Sequence, residues 1–161
     1  MAVIDDYVDS NLAAGQKSSS KGAIAPGRVR VVTFEIAAAD SDASIYRLCT
    51  VCLNEVPVLI RYGNDAITGG TDYDLGLYKV GAGQTVLSKD LLVNGADISS
   101  GVTVLSGDGM SAVNIANYGK SFGELLTAAA VTFGDAYADL AWTANTVGSG
   151  AGTLTTVIWT K

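Results

Sequence analysis

Few residues in this 161-residue chain could do chemistry, and one type is missing altogether: there is no histidine. Its absence removes the commonest general base, the Ser-His-Asp and Cys-His relays and most zinc and iron ligand sets. Cys49-Thr-Val-Cys52 has the spacing of a redox pair, but such pairs sit where a helix N-terminus lowers the thiol pKa. These four residues lie in a β-branched, alternating run, where positions i and i+3 face opposite sides and the sulfurs diverge. Two thiols also fall short of a four-ligand metal site. The pair therefore reads as two buried or half-buried small apolar residues.

Asp72 and Asp74 share one face of an alternating run, with Asn64 and Asp65 upstream. Such oxygens could hold a hard cation such as calcium, or act as paired glycosidase acids. The spacing does not match a helix-loop calcium motif and no cleft of aromatic platforms accompanies it, so the carboxylates read as the wet side of a strand. Gly107-Asp-Gly109 and the Gly-rich stretch 148–152 are turns, neither set between a strand and a helix as a phosphate cradle must be. Tyr118, Tyr137, Trp142 and Trp159 read as core or interface aromatics rather than a sugar platform. No catalytic residue, metal ligand or cofactor site is assigned, and the chain is expected not to be an enzyme.

The elements that carry these residues are strands. Residues 29–36 alternate, with Val32, Phe34 and Ile36 on one face and Arg28, Arg30 and Glu35 outside the stripe or near its ends. Further strands are expected at 45–53 and at 56–62, the latter at an edge or strand end because Pro57 cannot donate to a ladder. In Thr71-Asp-Tyr-Asp-Leu-Gly-Leu-Tyr78, Tyr73, Leu75 and Leu77 face one side, while Asp72, Asp74, Gly76 and Tyr78 face the other. Residues 87–98 read as short strand and loop, cut at Asn94-Gly95. One helix is predicted near 122–129, because Ser121-Phe-Gly-Glu124 has the capping-box spacing. Strands at 137–143 and 153–160 close the chain.

Short strands separated by Gly/Asn/Asp turns, with little helix, predict an all-β fold: an antiparallel β-sandwich or jelly roll with one short helix. Residues 1–27 are small, polar and weakly patterned, and Pro26-Gly27 ends them, so they are expected to form an extended N-terminal arm before a sandwich domain at 28–161. Val3, Ile4, Tyr7, Val8 and Leu12 form a sparse apolar set, more than a spacer requires, and are the candidate contacts to a neighbouring chain.

Composition narrows the partners. Charged residues make up only 16% of the chain and hydrophobic ones 48%, against roughly 25% charge in average domains. A surface that short of charge is covered with small polar residues or packed on other chains, whose contact cores are charge-depleted. Sixteen acids against ten bases give a net charge of −6 without a basic stripe, so nucleic acid is not an expected partner. No run approaches the ~20 apolar residues of a membrane span. The N-terminal Met1-Ala-Val-Ile-Asp-Asp has acids where a signal peptide needs positive charge, which predicts cytoplasmic synthesis with reduced thiols.

Three stretches resemble segments of a family of small structural proteins of tailed bacteriophages. They are Asp65-Ala-Ile-Thr-Gly-Gly-Thr-Asp-Tyr-Asp-Leu-Gly-Leu-Tyr78, Leu92-Val-Asn-Gly-Ala-Asp-Ile-Ser-Ser-Gly101 and Leu140-Ala-Trp-Thr-Ala-Asn-Thr-Val-Gly148, followed by a final strand from Thr153 to Lys161. The resemblance spans residues 58–161 and leaves the first 57 uncovered. It implies a non-catalytic virion component on the capsid surface, of the decoration or cement type. On that reading the expected partners are the major capsid protein and other copies of the chain, a trimer being the expected oligomer. The rival expectation is a receptor- or carbohydrate-binding module of a phage head or tail fibre.

Overall fold

The alternating runs become strands that pair across long stretches of sequence. The computed structural model describes the backbone of residues 5–7, and residues 27–81, 83 and 85–161. In chain order the strands are β1 (Asp5–Tyr7), β2 (Arg28–Ile36), β3 (Ser44–Cys52), β4 (Pro57–Asn64), β5 (Asp72–Tyr78), β6 (Val86–Ala96), β7 (Val102–Asp108), β8 (Tyr137–Thr146) and β9 (Gly152–Thr160). A 3-10 turn at Ile115–Asn117 and helix α1 (Phe122–Ala128) lie between β7 and β8.

Two sheets result, in the orders β1-β3-β8-β5-β6 and β2-β9-β4-β7. Pairing is antiparallel except where β1 runs parallel to β3, Asp5 opposite Ile45 and Tyr7 opposite Arg47. The remaining partners are nested: β2 with β9, β3 with β8, β4 with β7 and β5 with β6. A double ribbon closed at the β5–β6 hairpin and wrapped across two sheets is the jelly-roll winding. The all-β sandwich expected from the sequence is the fold the chain adopts.

Between the sheets, Phe34, Ile36, Ile60, Leu154 and Ile158 of one meet Tyr46, Leu48, Leu75, Leu77, Leu140 and Trp142 of the other. The polar ends of the buried aromatics are partnered, as a dry interior requires. Trp142 Nε1 donates to Thr156 Oγ1 at 2.9 Å, Tyr73 Oη to the Val147 carbonyl at 3.0 Å and Tyr46 Oη to Asp40 Oδ2 at 2.7 Å. Helix α1 buries Phe122, Leu125 and Leu126 against the core. Its capping box forms as predicted: Ser121 Oγ accepts from Glu124 N, and Glu124 Oε2 accepts from Ser121 N at 2.8 Å. The Ser121 backbone N–H and hydroxyl hold the Glu124 carboxyl below its ordinary pKa.

Three features depart from the sequence reading. Residues 86–96 form one continuous strand rather than strand and loop. Asn94 and Gly95 together oppose Asp74, between the pairs Tyr73–Ala96 and Leu75–Val93, and Asp74 Oδ1 accepts the Gly95 N–H at 2.9 Å. The Asn-Gly pair thus makes a bulge, for which Gly95 has a φ of 72°. Strand β7 was not expected: Val102-Thr-Val-Leu105 are strand formers, but they lie on an exposed edge in which residues 103–106 bow out opposite Gly63, so no inward–outward alternation marks them. Gly107, read as part of a turn, belongs to it.

The third departure is the outer face of β5, which is not wet. Asp74 and Tyr78 are buried along with their inward neighbours. At Gly76 the β6 backbone crosses so closely that a Cβ would collide with the Ser88 carbonyl oxygen, so glycine is required there. Beside it, Arg47 of β3 and Asp139 of β8 form a fully buried ion pair at 3.1 Å. Thr50 Oγ1 donates to Asp139 Oδ1 at 2.7 Å, and Arg47 also donates to the carbonyls of Lys79 and Gly83. The pair therefore pins the segment after β5 across the outer face. A β3 bulge makes this possible: Leu48 has no partner between Arg47–Ala141 and Cys49–Leu140, so Leu48 and Cys49 both enter the core.

Two substitutions test these assignments in denaturant titrations. Asp139→Ala strands the Arg47 guanidinium inside the fold and is expected to cost about 3–5 kcal/mol; a loss below 1 kcal/mol would mean the pair is dispensable. Ser121→Ala removes the cap acceptor and is expected to cost about 0.5–2 kcal/mol.

Candidate interaction surface

The polar residues singled out from sequence are engaged in structure. Asp72 and Asp74 converge on one amide: Asn145 Nδ2 donates to Asp72 Oδ1 at 3.0 Å and to Asp74 Oδ2 at 2.6 Å. Lys89 Nζ lies 3.5 Å from Asp74 Oδ2 and donates to Asn145 Oδ1 at 2.6 Å. These carboxylates thus face an amide, a backbone N–H and an ammonium. Asn64 and Asp65 have different partners. Asn64 Nδ2 donates to the carbonyls of Asp65, Ile98 and Ser100, and Asp65 Oδ2 accepts from Thr153 N. The four residues do not form one cluster.

Cys49 is buried in the core and Cys52 half-buried, both as free thiols. Burial pushes the Cys49 thiol up to about 12, which keeps it protonated and unreactive. Of the four aromatics, Trp142 is core and meets Tyr62 edge-on at 5.1 Å. Tyr118, Tyr137 and Trp159 are partly exposed on separate elements and make no common platform. Val3, Ile4, Val8 and Leu12 lie outside the described residues, and of Tyr7 only the backbone is described, at the end of β1.

A surface the sequence did not flag stands out. On the outside of the four-stranded sheet, Val29, Trp159 and Leu59 line up across β2, β9 and β4, and Val31, Val157 and Arg61 form the next row. Val29 is 62% exposed, Val31 63%, Trp159 42% and Leu59 38%. Scattered surface hydrophobics need no explanation, but a contiguous set on one sheet face marks an interaction site. The signal was present as Val29 and Val31, odd-numbered partners of the inward Val32, Phe34 and Ile36. An outward valine becomes conspicuous only when strands from distant segments set Trp159 and Leu59 beside it.

The opposite, inward side of the same sheet is clamped by charge at one end, where Arg28, Arg30 and Thr160 alternate with the outward Val29, Val31 and Trp159. Glu55, in the β3–β4 connection, receives Arg30 Nη1 at 3.1 Å, Arg28 Nη1 at 3.3 Å and the Thr160 hydroxyl at 2.6 Å. Burial alone would raise the Glu55 pKa; the Arg30 and Thr160 hydrogen bonds and the Arg30 charge outweigh it and hold the carboxyl below about 4.5. A folded value below the unfolded one means stabilisation that is complete above about pH 4.5 and lost as pH falls through the folded value. The unaltered protein should therefore lose stability faster than Glu55→Gln below about pH 4.5, the two converging in acid. Thermal melts across that range would show parallel curves if Glu55 were not linked to folding.

No protein-family model matches the chain, and no curated protein matches it in sequence. Its fold is similar to that of a chain in the solved structure "Capsid of Ralstonia phage GP4", with a TM-score of 0.51 and 14% sequence identity. The match covers 96% of this chain and 97% of that one, so the whole sandwich is shared rather than a motif.

Proposed function

We propose that the protein is a structural component of a phage particle, a decoration or cement subunit that binds the assembled capsid as a homo-oligomer. The observation that carries this reading is the end-to-end fold similarity to a chain of a phage capsid, 96% of one chain against 97% of the other. The chemistry of the surface is consistent with it. Asp65, Asp72 and Asp74 are tied up in internal hydrogen bonds, the histidine-dependent relays are absent from the sequence, and an apolar sheet face is left for a partner.

Such a subunit acts by mass action. A protein that binds the assembled shell and not its parts stabilises the shell by RT ln(1 + [L]/Kd), about 2.7 kcal/mol per site at a hundredfold excess over Kd. Several linked contacts per oligomer raise the effective affinity further. The arm at residues 1–27, with Val3, Ile4, Tyr7, Val8 and Leu12, supplies one such contact in this reading.

The test is co-sedimentation of purified protein with phage heads that lack it, with the copy number counted. Binding in about one oligomer per repeated lattice position, together with a higher temperature of head disruption, is the expected result. Deleting residues 1–27 should weaken binding and leave the sandwich folded. A few copies per particle would identify a receptor- or carbohydrate-binding fibre module instead, and no binding at all would overturn the capsid reading.

A further inference from the structure

Sheet edges are usually blunted to prevent pairing with other chains, and three edges here are. The β3 edge is covered by β1, β6 is broken by three register shifts, and β7 is bowed out over four residues. Strand β2 is different. Its nine residues pair with β9 in an unbroken register, and among the described residues nothing pairs with its other side. The apolar rows Val29-Trp159-Leu59 and Val31-Val157 run directly off this edge.

The charges bordering the face are mixed in sign: Glu35 and Arg61 beside the apolar rows, with Asp108 opposite Arg61 on β7 and Lys161 just past the end of β9. Glu35 stands exposed near the end of β2, and Arg61 sits on β4 beyond Val157. Neither belongs to an ion pair among the described residues. Arg61 reaches the Ser106 carbonyl at 3.4 Å, and Asp108, opposite it in register, accepts the Met110 N–H instead. A partner of one sign would satisfy one of these groups and repel the other. A second copy of the same face offers both, and in a chain of net charge −6 this nearly neutral patch is where two copies repel least.

We infer that the outer face of β2, β9 and β4 is the contact between copies of this chain, with Glu35 of one copy set against Arg61 of the next. The contact does not depend on the capsid reading, because it forms between free subunits. Self-association without head binding would keep this inference and sink that one.

Sedimentation velocity on the full chain, from about 1 to 100 μM, reads it directly. The expected result is concentration-dependent assembly, weakened about tenfold by Glu35→Lys or by Arg61→Glu alone and largely restored when the two are combined. Val31→Lys, also exposed, should abolish assembly while leaving the melting temperature in place. The inference is overturned if the protein stays monomeric throughout the range, or if the double variant is no better than the single ones. It is equally overturned if the face is shielded from chemical labelling on heads but never in the free oligomer, since the occupant would then be a capsid protein.

Discussion

The nested pairing of β2 with β9, β3 with β8, β4 with β7 and β5 with β6 constrains everything else in the molecule. Each of these strands pairs with a partner that is distant in sequence, except at the β5–β6 hairpin. Such a ribbon must close its loops before the ladders stabilise it, a topology that folds slowly. It also decides which residues share a face: Trp159 lies beside Val29 and Leu59 only because β9 runs between β2 and β4. The candidate contact surface is a product of winding, not of any local motif.

A second consequence is the double burial of the strands at the centre of the larger sheet. β3, β8 and β5 are covered on both faces, although their outward positions carry Arg47, Asp139, Thr143 and Asp74. Polar groups in that position are tolerable only when hydrogen-bonded. The Arg47–Asp139 pair meets the condition with Thr50 and the carbonyls of Lys79 and Gly83, and Asp74 meets it with Asn145 and Gly95. A buried pair of this kind contributes less to net stability than to the uniqueness of the arrangement it pins. Here it specifies where the segment after β5 lies. The acids that resemble a catalytic or metal-binding set thus hold the sheet together.

The two sheets divide the work. The central strands β3, β8 and β5 of the five-stranded sheet are covered outside and internally cross-linked by polar contacts. The four-stranded sheet leaves valine, leucine and tryptophan open to solvent beside an unbroken edge. With charge on only 16% of residues, the chain spends little surface on repulsion. That asymmetry is the structural basis of the contact inferred above.

The sequence by itself determined the local features. Period-two alternation set Tyr73, Leu75 and Leu77 inward, the Ser121–Glu124 spacing placed the helix, and the lack of histidine removed most catalytic relays. These were legible because each depends on residues within a few positions of one another. Tertiary structure alone decided the rest. The Arg47–Asp139 pair joins residues 92 apart in the chain, the bulge at Leu48 reverses which positions face the core, and the Asn94-Gly95 bulge is held by a carboxylate on another strand. Alternation gives two faces to every strand but cannot say which neighbours cover them. That choice belongs to the winding, because a strand's surroundings are set by chain segments whose distance in sequence no local pattern records.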